Sequence, residues 1–203
     1  MSDAIKNILQ KFLLSGGAIT TGCRVGQGDK YGLYQDSSGF CTKGIGHLVR
    51  RGPCTADDIS SYNSDFPGGQ THDDALKVKA EDVAVAEAAV NNNINVQLTQ
   101  EQFDALVSFA LNEGGATFKG SQLLKDIYAG NCDASTIAND LAQYTRSSSD
   151  PYALVNRRNA ENTLLMVCIT CQNSHHHLFL NDDYGNDDDN DNDCHCIFRP
   201  QIK

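Results

Sequence analysis

Two stretches of the sequence gather side chains able to do chemistry. Between positions 27 and 47 stand Gln27, Asp29, Asp36, Thr42 and His47, spaced among glycines. Asp36 opens the run Asp36-Ser37-Ser38-Gly39. A carboxylate there can serve as a base toward water, or simply cap the turn it begins. Thr42 alone reads as an ordinary strand residue. His47 reads as a buried hydrogen-bonding residue with a structural role rather than a proton carrier. Cys41 reads as apolar or disulfide-bonded in preference to nucleophilic. The second stretch is C-terminal: Cys168-x-x-Cys171, His175–His177 and Cys194-His195-Cys196. Its two cysteine pairs make up the count of a Cys₄ zinc site, although the second pair is close for that geometry. Disulfides tying the tail back to the domain are the preferred reading, with zinc the alternative. The run from Asp187 to Asp193 offers oxygen ligands for loose calcium binding. It lacks the glycine and distal glutamate of an EF-hand loop. No cofactor is expected.

The elements that must position these residues follow from periodicity. Residues 3–14 read as an amphipathic helix through Ile5, Ile8, Leu9 and Phe12. Positions 22–46 hold seven glycines, which suits turns and short strands. Strands are expected at 31–34 and 40–45, and polar loop from 50 to 69. Thr71 caps a helix running to about Val90 and ended by Asn91-Asn92-Asn93. Its inner face is Leu76, Ala80, Val83, Ala86 and Val90. Thr99-Gln100-Glu101-Gln102 forms a capping box ahead of Phe103, Leu106, Val107, Ala110 and Leu111. Positions 112–120 read as a break. Helices are then expected at 121–128 and 133–144, and Pro151 begins or precedes a last long helix through Leu154 to about Val167. The fold class is therefore α+β: a small β-rich N-terminal lobe (about 22–69), a long connecting helix (about 71–90) and a larger helical lobe (about 96–168). Together these make a domain over 1–170. A Cys-, His- and Asp-rich extension occupies 171–203.

Composition narrows the function classes. The 203 residues carry a formal net charge of −10. No basic cluster is present to neutralise phosphates, so nucleic acid is not an expected partner. No apolar run approaches the roughly 18 residues of a membrane span. Met1–Gly17 does not read as a signal peptide, since Lys6, Asn7, Gln10 and Lys11 interrupt its apolar part. Eight cysteines favour disulfides and an oxidising compartment. A secreted or extracellular location is expected, the alternative being host cytoplasm before export in a phage lysis system.

The segment Gln27-Gly28-Asp29-Lys30-Tyr31 through Asp36, Thr42 and Gly44-Ile45-Gly46-His47 resembles the active-site segment of phage-type lysozymes. In that family a Glu is followed after eight residues by Asp or Cys, and after five more by Thr. Two further segments resemble the family in the right order: 98–114 and Leu154-Val155-Asn156-Arg157-Arg158-Asn159-Ala160-Glu161. The resemblance covers roughly 20–166. It implies a lysozyme-like fold and cleavage of the β-1,4 bond between N-acetylmuramic acid and N-acetylglucosamine in bacterial peptidoglycan, with inversion. It implies that position 27 is the general acid, that Asp36 and Thr42 position and activate water, and that Arg157 faces the acid across the cleft. Read on its own residues, Arg157 is instead a solvated helix residue paired with Glu161.

Position 27 departs from the pattern. A glutamine keeps the shape of glutamate but has no proton to deliver, and residues 1–80 contain no glutamate. General acid catalysis is worth about 10²- to 10⁴-fold. Two accounts stand: a muramidase inactivated by an acid-to-amide change, or a natural lysozyme-like saccharide-binding protein without hydrolysis.

Overall fold

The structure is a computed structural model and describes residues 30–146, 152, 154–166 and, for their backbone, 199–200. The expected helix at 3–14, Gln27, and the cysteines, histidines and aspartates of the tail lie outside the described residues.

The glycine-rich segment forms a small antiparallel sheet. Strands β1 (Leu33–Gln35), β2 (Cys41–Lys43) and β3 (His47–Arg50) lie in the order β1-β2-β3. The first two strands are shorter than expected, and β3 ends on Arg50, where the expected loop begins. Gly44 (φ +55°) shows why the second turn needs glycine. A Cβ there would lie 2.4 Å from Oε1 of Gln70 and 3.2 Å from Cβ of Ala75. A disulfide joins Cys41 to Cys54, so Cys41 is held within the sheet and is no nucleophile.

The expected loop at 50–69 contains a helix, α1 (Ala56–Asp65). The periodicity missed it because only Tyr62 of its residues is buried. What holds it is polar. Thr55 and Asp58 form a reciprocal capping box, and Asp58 also takes the Nε–H of Arg50 at 2.8 Å. Those contacts hold the Asp58 carboxyl well below its ordinary value, the Arg50 hydrogen bond foremost.

Helix α2 (His72–Asn93) joins the lobes, with Thr71 and Asp74 forming its capping box. It runs through the three asparagines rather than ending at them. Ile94 terminates it in an extended conformation. Its buried stripe is Ala75, Lys79, Val83, Ala86 and Val90, one position away from the expected Leu76 and Ala80 in its first half. A two-residue strand, β4 (Val96–Gln97), leads to α3 (Gln100–Glu113), capped by Thr99 and Gln102 as expected. The expected break is mostly helix: α3 continues to Glu113, and α4 spans Gly115–Gly120. Then come α5 (Gln122–Ala129), α6 (Ala134–Ala142) and α7 (Val155–Leu165). Strand β5 (Arg199–Pro200) pairs with β4. Leu106 and Phe109 of α3 sit in a core with Val83 and Val90 of α2, Phe118 of α4, Ile127 of α5, Leu141 of α6 and Leu165 of α7. Burying each large apolar side chain contributes about 1.5–3 kcal/mol, and among the described residues most of that burial lies in this lobe. No helix among the described residues is long and apolar enough to cross a membrane.

Candidate active site

The β-lobe presents Asp36 and Thr42 from one hairpin. The N–H of Asp36 donates to the carbonyl of Phe40 at 3.0 Å, closing the β1–β2 turn. Oδ1 of Asp36 accepts the N–H groups of Ser38 at 2.8 Å and Phe40 at 2.9 Å. The turn-capping role is thus real, and it fixes the carboxylate at the head of the hairpin. Thr42 lies opposite Tyr34 on β1 and Leu48 on β3. It is buried, and its hydroxyl donates to the carbonyl of Phe40 at 3.1 Å. Both side chains therefore converge on Phe40.

Two links tie this lobe to the long helix and to the segment that leads into it. Nδ1 of His47 lies 2.9 Å from Oδ1 of Asp82 on α2. With 32% of its side chain exposed, His47 is half-buried rather than buried, and it is hydrogen-bonded to Asp82. The second link lies close after position 27. Tyr31 and Gln70 exchange backbone hydrogen bonds of 2.8 and 3.0 Å. The hydroxyl of Tyr62 donates to the carbonyl of Tyr31 and accepts the N–H of Gln70. The Gln70 side chain is fully buried, and among the described residues neither of its polar atoms has a hydrogen-bond partner.

The helical lobe contributes a buried ion cluster. Arg157 Nε donates to Glu161 Oε1 at 3.1 Å, and its guanidinium also donates to the carbonyl and hydroxyl oxygens of Ser108, at 3.0 and 3.1 Å. Arg158 donates to the other oxygen of Glu161, to Asn112, to the Tyr144 carbonyl and to Glu113. Glu161 is 0% exposed. The reading of Arg157 and Glu161 as a solvated pair is therefore incorrect: the pair is intact, but it lies inside the protein, where α3 packs on α7. Burial pulls the Arg157 guanidinium down from its ordinary value, with Glu161 opposing. Burial likewise pushes the Glu113 carboxyl up, against the pull of Arg158.

Lys79 adds a cation that sequence reasoning passed over. It occupies a core position of α2 between Ala75 and Val83 and is 5% exposed. Burial lowers its ammonium to about 8; the Asp82 carboxylate opposes this and the Arg157 charge adds to it. The available signal was a lysine in phase with the apolar stripe of the lobe-joining helix. Ser108 and Glu113 were likewise hidden, Ser108 among the apolar residues of α3 and Glu113 in the expected break. Among the described residues no group of three or more His, Cys, Asp or Glu side chains is placed to hold a metal.

The arrangement joins a hairpin bearing a fixed carboxylate and a hydroxyl to a helical lobe with a buried ion cluster. It has relatives. The endolysin of Salmonella phage P22 is 29% identical over 140 residues, covering 69% of this chain and 89% of the relative. The endolysin of Bacillus phage B103 is 38% identical over 109 residues, which is 52% of this chain but only 41% of that relative. Two solved structures share the fold. The muramidase domain of SpmX from Asticaccaulis excentricus has a TM-score of 0.52 at 24% identity, covering 81% of this chain and 95% of that one. A variant of P22 lysozyme has a TM-score of 0.50 at 23% identity with the same coverage. The family model for phage lysozyme matches residues 26–161, a span that starts one residue before Gln27 and ends on Glu161. The chain belongs to the phage lysozyme family.

Proposed function

We propose that the chain is a peptidoglycan muramidase, acting on the β-1,4 bond between N-acetylmuramic acid and N-acetylglucosamine, in a form whose general acid is replaced by Gln27. The observation that carries this reading is the hairpin. Asp36, pinned through one oxygen by two backbone N–H groups, stands beside Thr42 at the family spacing from position 27. A carboxylate so fixed suits a base that orients and deprotonates water, with the threonine hydroxyl as second contact. An inverting glycosidase needs that base on one face of the sugar and a proton donor on the other. The family resemblance implies that Arg157 faces the donor, and the Arg157 guanidinium is paired with Glu161. The Cys41–Cys54 bridge supports a secreted or extracellular site of action. The lysozyme-like domain is taken to span 1–170, with 171–203 as an extension of separate composition.

The product tests this reading. Peptidoglycan digested with the Gln27→Glu protein, then reduced with borohydride, is expected to yield reduced muramic acid at the new ends. Reduced glucosamine would assign a different bond. Saccharide binding by the Gln27→Glu protein without any new reducing ends would favour a non-catalytic binding protein.

A further inference from the structure

The chain that leaves β3 is pinned on both sides of one exposed arginine. On one side Arg50 donates its Nε–H to Asp58 at 2.8 Å. On the other, the carbonyl of Gly52 accepts the N–H of Cys41 at 2.7 Å, and Cys54 is joined to Cys41 by the disulfide. The register of β2 with β3 also shifts between Cys41 and Thr42, an irregularity of the kind that re-aims side chains beside sites. Between these anchors Arg51 lays its guanidinium over the ring of Phe40, 5.8 Å from the centroid. Arg50, Arg157 and Arg158 each have a carboxylate partner. Arg51 has none among the described residues, and it is exposed. Its N–H donors remain open to solvent.

Phe40 ties this cation to the hairpin's chemistry. It stands opposite Asp36, continuing the register that sets Gln35 opposite Cys41. Its N–H goes to Oδ1 of Asp36, and its carbonyl takes the N–H of Asp36 and the hydroxyl of Thr42. The residue whose backbone fixes the proposed base thus carries Arg51 on its ring. An aromatic face attracts a cation without occupying its N–H donors as a carboxylate does.

We propose that Arg51 is a specificity-determining residue, which takes a free carboxylate of the peptide attached to the substrate's muramic acid. The inference rests on the muramidase reading of the site. The N-acetylated sugars of that glycan are uncharged, and the lactyl carboxyl of muramic acid is consumed in the amide bond to its peptide. The negative charge nearest the scissile bond is therefore on the peptide. A guanidinium meets a carboxylate through two parallel N–H···O bonds, a match that an ammonium cannot reproduce. Arg51 biases the site toward stems with a free carboxylate over stems in which that group is amidated.

Calorimetric binding to the Gln27 chain tests this, with two soluble glycan fragments freed of phosphate polymers. One carries stem peptides with free carboxylates, and the other is the same fragment amidated. The free-carboxylate fragment is expected to bind about threefold more tightly or better. Arg51→Gln is expected to abolish that preference while leaving the melting temperature and the affinity for the amidated fragment unchanged. Arg51→Lys is expected to keep only part of it. Equal binding of the two fragments by the parent chain would overturn the inference and leave the muramidase reading standing. A preference that survives Arg51→Gln would also overturn it, as would an effect of Arg51→Gln confined to walls that carry phosphate polymers. Binding of neither fragment would overturn both readings together.

Discussion

Arg157 and Glu161 stand one turn apart on α7, the Nε of one 3.1 Å from Oε1 of the other, with the glutamate wholly out of solvent. Glu161 also pairs with Arg158, which has Glu113 as a second carboxylate partner, so two carboxylates face two guanidinium groups. Removing one partner of a buried ion pair costs about 3–5 kcal/mol. Glu161→Gln is expected to lower unfolding free energy by about that amount in urea titration. A change below about 1 kcal/mol would show that the cluster is solvated after all.

Lys79 makes stability rise at alkaline pH. Its folded value of about 8 lies below the ordinary 10.5. Below about pH 8 both folded and unfolded chains hold the proton, and the fold carries the whole cost of a buried ammonium. Between about 8 and 10.5 the folded chain gives the proton up first, so stability increases with pH across that window. Lys79→Met is expected to stabilise the protein at pH 7 by on the order of 1–3 kcal/mol and to flatten that rise. Thermal melts of both proteins from pH 7 to 10.5 check this. An unchanged slope in the variant would contradict it.

Asp140 acts in the opposite sense. Burial, and then the nearby Asp126 carboxylate, raise it to about 6 from 3.8. The folded chain therefore binds the proton more tightly than the unfolded one, and stability falls as pH rises from about 4 through 6. Asp140→Asn is expected to remove that decline, so that the variant is the more stable protein at pH 7. Denaturant titrations at pH 4 and 7 measure the effect, and a variant less stable at pH 7 would refute it.

On the proposed function Asp36 caps its turn and also serves as base, and a single substitution separates the two. Asparagine retains a side-chain oxygen for the N–H groups of Ser38 and Phe40 but cannot accept a proton from water. In the Gln27→Glu background, Asp36→Asn is expected to leave the melting temperature nearly unchanged while cutting kcat/KM by about 10²-fold or more. Equal activity in the two proteins would reduce Asp36 to a turn residue.

Much of this was legible in the chain itself, for particular reasons. The helices led by Thr71 and Thr99 were readable because cap and apolar stripe agree. Those at 122–129 and 134–142 announced themselves through Leu123, Leu124 and Ile127, and through Ile137 and Leu141. Helix α1 was not readable, because its stability comes from Thr55, Asp58 and Arg50 rather than from an apolar face. The ion cluster was half readable. The spacing of Arg157 and Glu161 gave the pair, but only packing against Ser108 on α3 decides that it is buried. Lys79 was hidden because periodicity counts apolar residues, and a lysine in a core position looks like an interruption of the stripe.

The central claim is that the scaffold lacks only a proton donor at position 27. Initial rates of cell-wall clearing by the parent chain and by Gln27→Glu, at equal concentration with equal folding verified, test it most directly. The substitution is expected to raise the rate by about 10²-fold or more. A parent chain that clears walls as fast as the glutamate form would contradict the account.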